Sequence, residues 1–205
     1  MGLRFGVLLG ILTLSLSVTA QTAVEGAGGA EVSLRDVEFQ RVRDAGGAEW
    51  WEATVVLNVD GRGGGMGRYA DRVRVAFNVA FQRPIKGKPL EFYRAAVIAP
   101  SLEAGRQTFR FYLPPAIVRR DRISRDARFW SVDLAVDGRA LEPSSSQVSS
   151  AFSSAAAVAN FRDQHAQRAP VNDGVMVPRH LSPWASDRID ADPVVLQRAA
   201  SGVDR

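Results

Sequence analysis

Apolar and polar residues alternate with a period of two through much of residues 31–142, and this spacing predicts β-strands. In EVSLRDVEFQRV, Val32 and Leu34 share one face, then Val37 and Phe39, the phase slipping at Arg35-Asp36 as a β-bulge would cause. WWEATVVLNV alternates Trp51, Ala53, Val55, Leu57 and Val59. DRVRVAFNVAFQ sets Val73, Val75, Phe77, Val79 and Phe81 against Arg72, Arg74, Ala76, Asn78 and Ala80. EFYRAAVIA is a fourth strand candidate. RQTFRFYL directs Phe109, Phe111 and Leu113 inward and Arg110 and Tyr112 outward, and FWSVDLAVDG directs Trp130, Val132, Leu134 and Val136 inward. Turn signals separate these runs: Asp44-Ala45-Gly46-Gly47, a glycine-rich stretch after Val59, Pro84 to Pro89, Pro100 to Gly105, Pro114-Pro115 and Asp137-Gly138. One apolar face per strand argues against a parallel α/β sheet, whose strands are buried on both sides. The expected fold is all-β: an antiparallel, immunoglobulin-like β-sandwich of six or seven strands, with a C-terminal helix and an irregular tail.

The period changes after Glu142-Pro143. In SSSQVSSAFSSAAAVANFRDQHAQRAP, Val148, Phe152, Ala155 and Ala159 recur at helical spacing, with Ser145 or Ser146 available as an N-cap, so a helix is expected near 147–167. Pro170 ends it, and beyond Val171 prolines and aspartates dominate without a sustained period. The organisation read from the chain is a signal peptide at 1–20, a flexible leader at 21–30, a sandwich domain at 31–142, a linker and helix at 143–168, and an irregular or partly disordered tail at 169–205, from which Trp184 could still dock on the core.

The N-terminus changes where such a sandwich would work. Arg4, the apolar stretch Phe5 to Val18 and the small residues at Val18-Thr19-Ala20 have the form of a cleavable signal peptide, too short for a confident span, with the mature chain starting near Gln21. The expected location is the periplasm or outer surface of a Gram-negative bacterium, with no transmembrane span after signal removal. The chain has no cysteine, which excludes disulfides and thiolate metal sites and leaves the hydrophobic core to hold an exported protein together. The net charge is +4, but acidic residues are interspersed throughout, so the basic balance does not predict nucleic-acid binding.

Candidate chemistry adds little. NVDGRGGGMGRY contains Gly65-x-Gly67-x-x-Ala70, yet a strand pattern follows where a dinucleotide site needs a helix N-terminus, and Arg68-Tyr69 stands where a P-loop needs lysine and Ser/Thr. Gly61 to Gly67 is therefore read as a hairpin connection. His165 and His180 are isolated, read as solvated, and no G-x-S-x-G elbow exists. No catalytic residue, cofactor or metal ligand is assigned, and an enzyme with carboxylates drawn from distant positions is the third-ranked reading. Two surfaces stand out. The turn RRDRISRDAR offers Arg119, Arg120, Arg122 and Arg125 for anionic groups, against a bland reading of internal ion pairs. Trp50 and Trp51 must face opposite sides of a strand, so one is core and the other is a candidate contact surface that Tyr93 and Tyr112 would extend, unless the helix or tail covers it.

The stretches EVSLRDVEFQRV, WWEATVVLNV, RVRVAFNVAFQ, EFYRAAVIA, LEAGRQTFRFYLPPAIVRRD and WSVDLAVDG together resemble small exported immunoglobulin-like proteins encoded beside type IV pilus machinery in Gram-negative bacteria. The resemblance spans residues 31–142, with FYLPPAIVRRD its most distinctive piece. It implies a non-enzymatic envelope or pilus-associated component acting through protein contacts, with an envelope or pilus-system protein as partner. The alternative is a sandwich module that binds a glycan or an anionic polymer.

Overall fold

In the computed structural model, which describes residues 30–61, 68–82, 90–123 and 126–187 together with 193, 197 and 198, the alternating segments are strands. Six are long: β1 (Glu31–Arg43), β2 (Glu49–Asp60), β3 (Tyr69–Phe81), β4 (Glu91–Glu103), β5 (Gly105–Leu113) and β6 (Phe129–Val136). Three span two residues each: β7 (Arg139–Ala140), β8 (Val177–Pro178) and β9 (Gln197–Arg198). They form two antiparallel sheets, ordered β1-β2-β5-β8 and β7-β6-β3-β4-β9. The body is thus mostly antiparallel β and sandwich-like, with a single long helix among the described residues, α2 (Ala155–Arg168), on the C-terminal side of the strands. The signal peptide, the leader before Ala30, most of the glycine stretch and Arg125 lie outside the described residues. Among the described residues, no helix is long and apolar enough to cross a membrane.

The core follows from the alternation. Val55, Leu57, Val73, Val75, Phe77, Val79, Phe111, Leu113 and Val132 are fully buried between the sheets. Trp51 lies in their midst, stacked 5.3 Å from Phe39, 6.5 Å from Phe77 and edge-on to Phe81 at 5.1 Å, while Phe77 stacks on Phe111 at 5.6 Å. Both sheets thus contribute to one aromatic column, and such pairs add to the burial of their area. The phase slip in the first strand is a real irregularity, the β1–β2 register shifting between Leu34 and Asp36.

Two turns show their chemistry. Gly47 takes φ +78° after Asp44, whose Oδ1 accepts the Ala48 N–H at 2.9 Å. Asp137 and Gly138 both take positive φ, +50° and +77°, as a two-residue hairpin turn between β6 and β7 requires.

Three connections differ from the sequence expectation. The glycine stretch joins β2 in one sheet to β3 in the other, so it is a crossover between sheets and not a hairpin. Pro100 does not open a turn: β4 continues to Glu103, and the chain passes to the other sheet at Ala104-Gly105, where Gly105 has φ +122°. A proline is tolerated there because, among the described residues, β4 is paired on its outer side only at Val97 and Ile98, by β9, and an edge position needs no N–H for a ladder. Pro114-Pro115 is not only a stop; Pro115 begins the short helix α1 (Pro115–Arg120), a position where its missing N–H is not needed.

The C-terminal helix starts later than its spacing predicts. Ser145–Gln147 is a 3-10 turn, Val148 bridges to Ser131, and α2 begins at Ala155 with the Ser154 hydroxyl accepting the Ala157 N–H at 3.2 Å. The serine-rich stretch supplies two caps, and the second starts the helix. Helix α2 covers the outer face of the β7-β6-β3-β4 sheet, where Phe161 packs with Phe92, Ala80, Phe129 and Phe152.

Because Trp51 touches both sheets, Trp51→Ala is expected to lower unfolding free energy by about 3–5 kcal/mol. A urea titration followed by circular dichroism measures this; a loss under about 1 kcal/mol would mean that the aromatic column is not central to stability.

Candidate functional site

The tryptophan pair resolves by strand alternation: Trp51 enters the core, and Trp50 faces outward from β2. Trp50 is not a bare ring. Its Nε1 donates to Asp44 Oδ2 at 2.9 Å, which holds the Asp44 carboxyl below its usual range. Trp184 lies over the same face, edge-on to Trp50 at 5.7 Å and stacked on Tyr112 at 4.8 Å with the rings 22° from parallel, about as offset stacking prefers. Tyr112 is therefore 2% exposed although it points outward from β5. Opposite it in register stands Glu52, also buried, whose Oε1 accepts from Gln40 Nε2 at 2.6 Å and Thr54 Oγ1 at 3.1 Å, with Arg110 Nε 3.8 Å away. Burial first, then the neighbouring Glu52 carboxylate, pushes the Tyr112 hydroxyl far above its ordinary value, so it stays a neutral phenol.

The segment that delivers Trp184 is a clasp. After α2, a 3-10 turn at Ala169–Asn172 is fixed to β4: Asn172 Nδ2 donates to the Phe92 carbonyl at 2.9 Å, and Arg94 grips Asp173 through two bonds of 2.7 and 2.9 Å. Gly174 turns the chain with φ +79°, a conformation for which glycine is suited. Met176 then inserts into the main core at 1% exposure, and Val177 and Pro178 pair with Tyr112 and Phe111 at the edge of β5. Arg179 Nε donates to the Trp184 carbonyl at 3.3 Å, and its Nη2 donates to the Asp187 carbonyl. The described tail up to Asp187 is thus packed on both sheets. Trp184 was legible as a docking residue; Met176, in the short apolar run Val175-Met176-Val177, carried no periodic signal.

The arginine turn is divided by the fold. Arg120 bonds Asp121 through Nη2 at 2.8 Å and Nε at 3.0 Å, and Nη2 also reaches the Tyr93 hydroxyl at 3.2 Å. Asp121 is 1% exposed and accepts a further bond from the Tyr93 hydroxyl. Burial and the Asp121 carboxylate raise the Tyr93 hydroxyl well above its usual value, and the same carboxylate keeps Arg120 charged. Tyr93 points into the core from β4 and does not extend the Trp50–Tyr112 surface. Arg119 and Arg122 are exposed, Arg122 at φ +49°. The structure therefore brings Trp50 and Tyr112 together under Trp184, and binds Arg120, itself half-exposed, to the buried Asp121 carboxylate.

His165 overturns its sequence expectation. It is 6% exposed on α2, its ring 5.8 Å from Phe92 and 5.9 Å from Phe161, with Nε2 3.2 Å from the Tyr93 carbonyl. The helix begins later than the spacing implied, and its Phe161/His165 face, four residues apart, is the one laid on the sheet. Burial lowers its pKa below the ordinary 6.5, so the ring is neutral and its Nε2–H donates to the carbonyl. Among the described residues, no group of three His, Cys, Asp or Glu side chains is placed to hold a metal ion.

Two predictions follow from this geometry. Asp121→Ala leaves the buried Tyr93 hydroxyl without its acceptor and is expected to destabilise by about 1–3 kcal/mol, whereas adding Tyr93→Phe recovers part of that loss; equilibrium denaturation of the three variants measures the coupling, and strict additivity would refute it. Because the folded-state pKa of His165 is depressed, the unfolded chain takes up a proton that the folded chain resists. Stability is then unaffected well above pH 6.5 and declines as pH falls through it, by at most about 1.4 kcal/mol per pH unit for this group. His180 shifts in the same direction, so His165→Gln should reduce, and not abolish, the difference in urea midpoint between about pH 7.5 and about pH 5.5.

No protein-family model matches the chain, and no curated protein matches it. Among solved structures, the chain is similar to a crystal structure from Akkermansia muciniphila, with a TM-score of 0.61 and 12% sequence identity, over 82% of this chain and 94% of that one. At that identity, the likeness is one of fold, and it takes in nearly all of the other chain.

Proposed function

We propose that this chain is an exported, non-enzymatic interaction component of a Gram-negative cell envelope, of the immunoglobulin-like type found beside type IV pilus systems, working through protein contacts. The observation that carries the reading is where the fold spends its polar chemistry. Asp121, Glu52, His165 and Asn78 are among the buried polar groups that a reaction would draw on. Each is engaged in joining one element to another: Asp121 to Tyr93, Glu52 to Gln40, His165 to the Tyr93 carbonyl, and Asn78 to Ser131 and Asp133. What faces outward at the end of the β1-β2-β5 sheet is a half-buried tryptophan pair, Trp50 and Trp184, seated over the buried Tyr112, of a residue type enriched at protein interfaces.

The strand order supports the immunoglobulin-like part of the proposal. Strands β1, β2 and β5 form one sheet, and β7, β6, β3 and β4 the other. This is the order of an immunoglobulin-type sandwich whose fourth strand pairs with the third instead of the fifth. A flat sugar platform at Trp50 and Tyr112 would require Trp184 to lift off, so protein contact is preferred over the glycan reading.

The test is in-cell crosslinking of the tagged full-length chain in its native host, followed by identification of what it captures. Repeated recovery of pilus or secretion-machinery proteins, reduced in Trp184→Ala, is the expected result. Recovery of polysaccharide alone, or of no envelope protein, would overturn the proposal.

A further inference from the structure

Helix α2 is a thinly attached cover. Of its 14 residues, only Phe161 and His165 are buried. They rest on an outer cluster with Ala80, Phe92 and Ala169, rimmed by Leu90, Phe129 and Phe152. That cluster shares no residue with the core between the sheets, so the helix can leave its face without opening the aromatic column beneath. The chain just after the helix is tied down separately, by Asn172 Nδ2 on the Phe92 carbonyl and by the Arg94–Asp173 pair.

One of the two anchors is ionisable, and the charges around it are already matched. Two carboxylates bear on His165, Asp133 from β6 and Asp173 beyond the 3-10 turn, and both oxygens of each already accept a hydrogen bond. Asp133 takes Arg162 Nη2 from α2 at 3.2 Å and Asn78 Nδ2 from β3 at 2.7 Å. Asp173 takes Nε and Nη2 of Arg94 from β4. Arg168, at the end of α2, lies 4.7 Å over Phe92, the same ring that His165 meets edge-on at 5.8 Å. Glu91 on β4 stands 3.5 Å from Asn172 Nδ2, and Asp163 on α2 is exposed. A proton on the seated ring would thus add a positive charge among Arg94, Arg162 and Arg168, away from water.

We infer that α2 is an acid-released cover: when His165 takes up a proton the helix lifts, baring the apolar face of Ala80, Phe92 and Phe129, while the two sheets and the clasp stay folded. The direction follows from burial. In the lifted helix His165 is in water and binds a proton with its ordinary pKa of 6.5, whereas the seated ring resists it, so opening gains as pH falls below that value. The face concerned belongs to the sheet opposite the Trp50–Trp184 surface, and the inference does not rest on the envelope-partner reading.

Amide hydrogen exchange of the full chain, corrected for intrinsic rates, reads the opening. From about pH 7.5 to about pH 5.0, the opening constant of the α2 amides is expected to rise by about tenfold or more. At the lower pH these amides should exchange well ahead of those of Val75, Phe77 and Val79 in β3. The trigger can be read directly because the chain holds only 2 histidines. In His180→Gln the remaining imidazole is His165, and its titration by NMR should coincide with the loss of protection in α2. His165→Gln keeps a donor for the Tyr93 carbonyl without a titrating ring, and its α2 amides should open to the same extent at both pH values. Three results would each overturn the inference: α2 and β3 amides exchanging in step at both pH values, His165 titrating beneath a helix that stays protected, or a pH dependence of α2 that survives in His165→Gln.

Discussion

The column of Phe39, Trp51, Phe77 and Phe111 is the interaction on which the rest of the structure depends. With no cysteine in the chain, no covalent brace joins the two sheets, so they stay together by the burial of facing apolar residues. Strand alternation then dictates everything outside the column. Once Trp51 must point in, Trp50 must point out; once Phe111 points in, Tyr112 lies outside beside Glu52. The outer aromatic surface is the obverse of the inner one.

Both outer faces are partly covered, by different means. On one sheet, α2 lays Phe161 and His165 over Phe92 and Ala80, and Arg162 reaches Asp133 at 3.2 Å. On the other, the clasp sets Trp184 on Tyr112. The segment between them passes over the β4–β5 side and leaves Met176 in the core on the way. A sandwich closed in this manner draws one outer aromatic ring, Trp184, and one core side chain, Met176, from the same short stretch.

Much of this was legible in the sequence because burial imposes a period of two. The inward sets of β2, β3, β5 and β6, the bulge near Asp36 and the turn at Asp137-Gly138 all express local rules, and the sequence shows them. What the sequence did not show depends on long-range contact. That Asp121 would be buried, and would claim Arg120 from an otherwise solvated arginine run, follows from Tyr93 on a distant strand. His165 looked solvated because its neighbours in the chain are polar; its true neighbours, Phe92 and the Tyr93 carbonyl, are about 70 residues away in sequence. Met176 and the short rungs had no pattern to reveal them, since two residues cannot show a period.

The position of the clasp at the C-terminal end also bears on how the protein matures. A chain is made from its N-terminus, so β4 and β5 exist before the segment that closes them. Until Met176 and Trp184 arrive, the incomplete molecule presents two strand edges and an unfilled core socket together, the combination most prone to pairing with the wrong chain. The interval between finishing the sandwich and seating its last tryptophan is therefore when this protein most needs either a helper or speed.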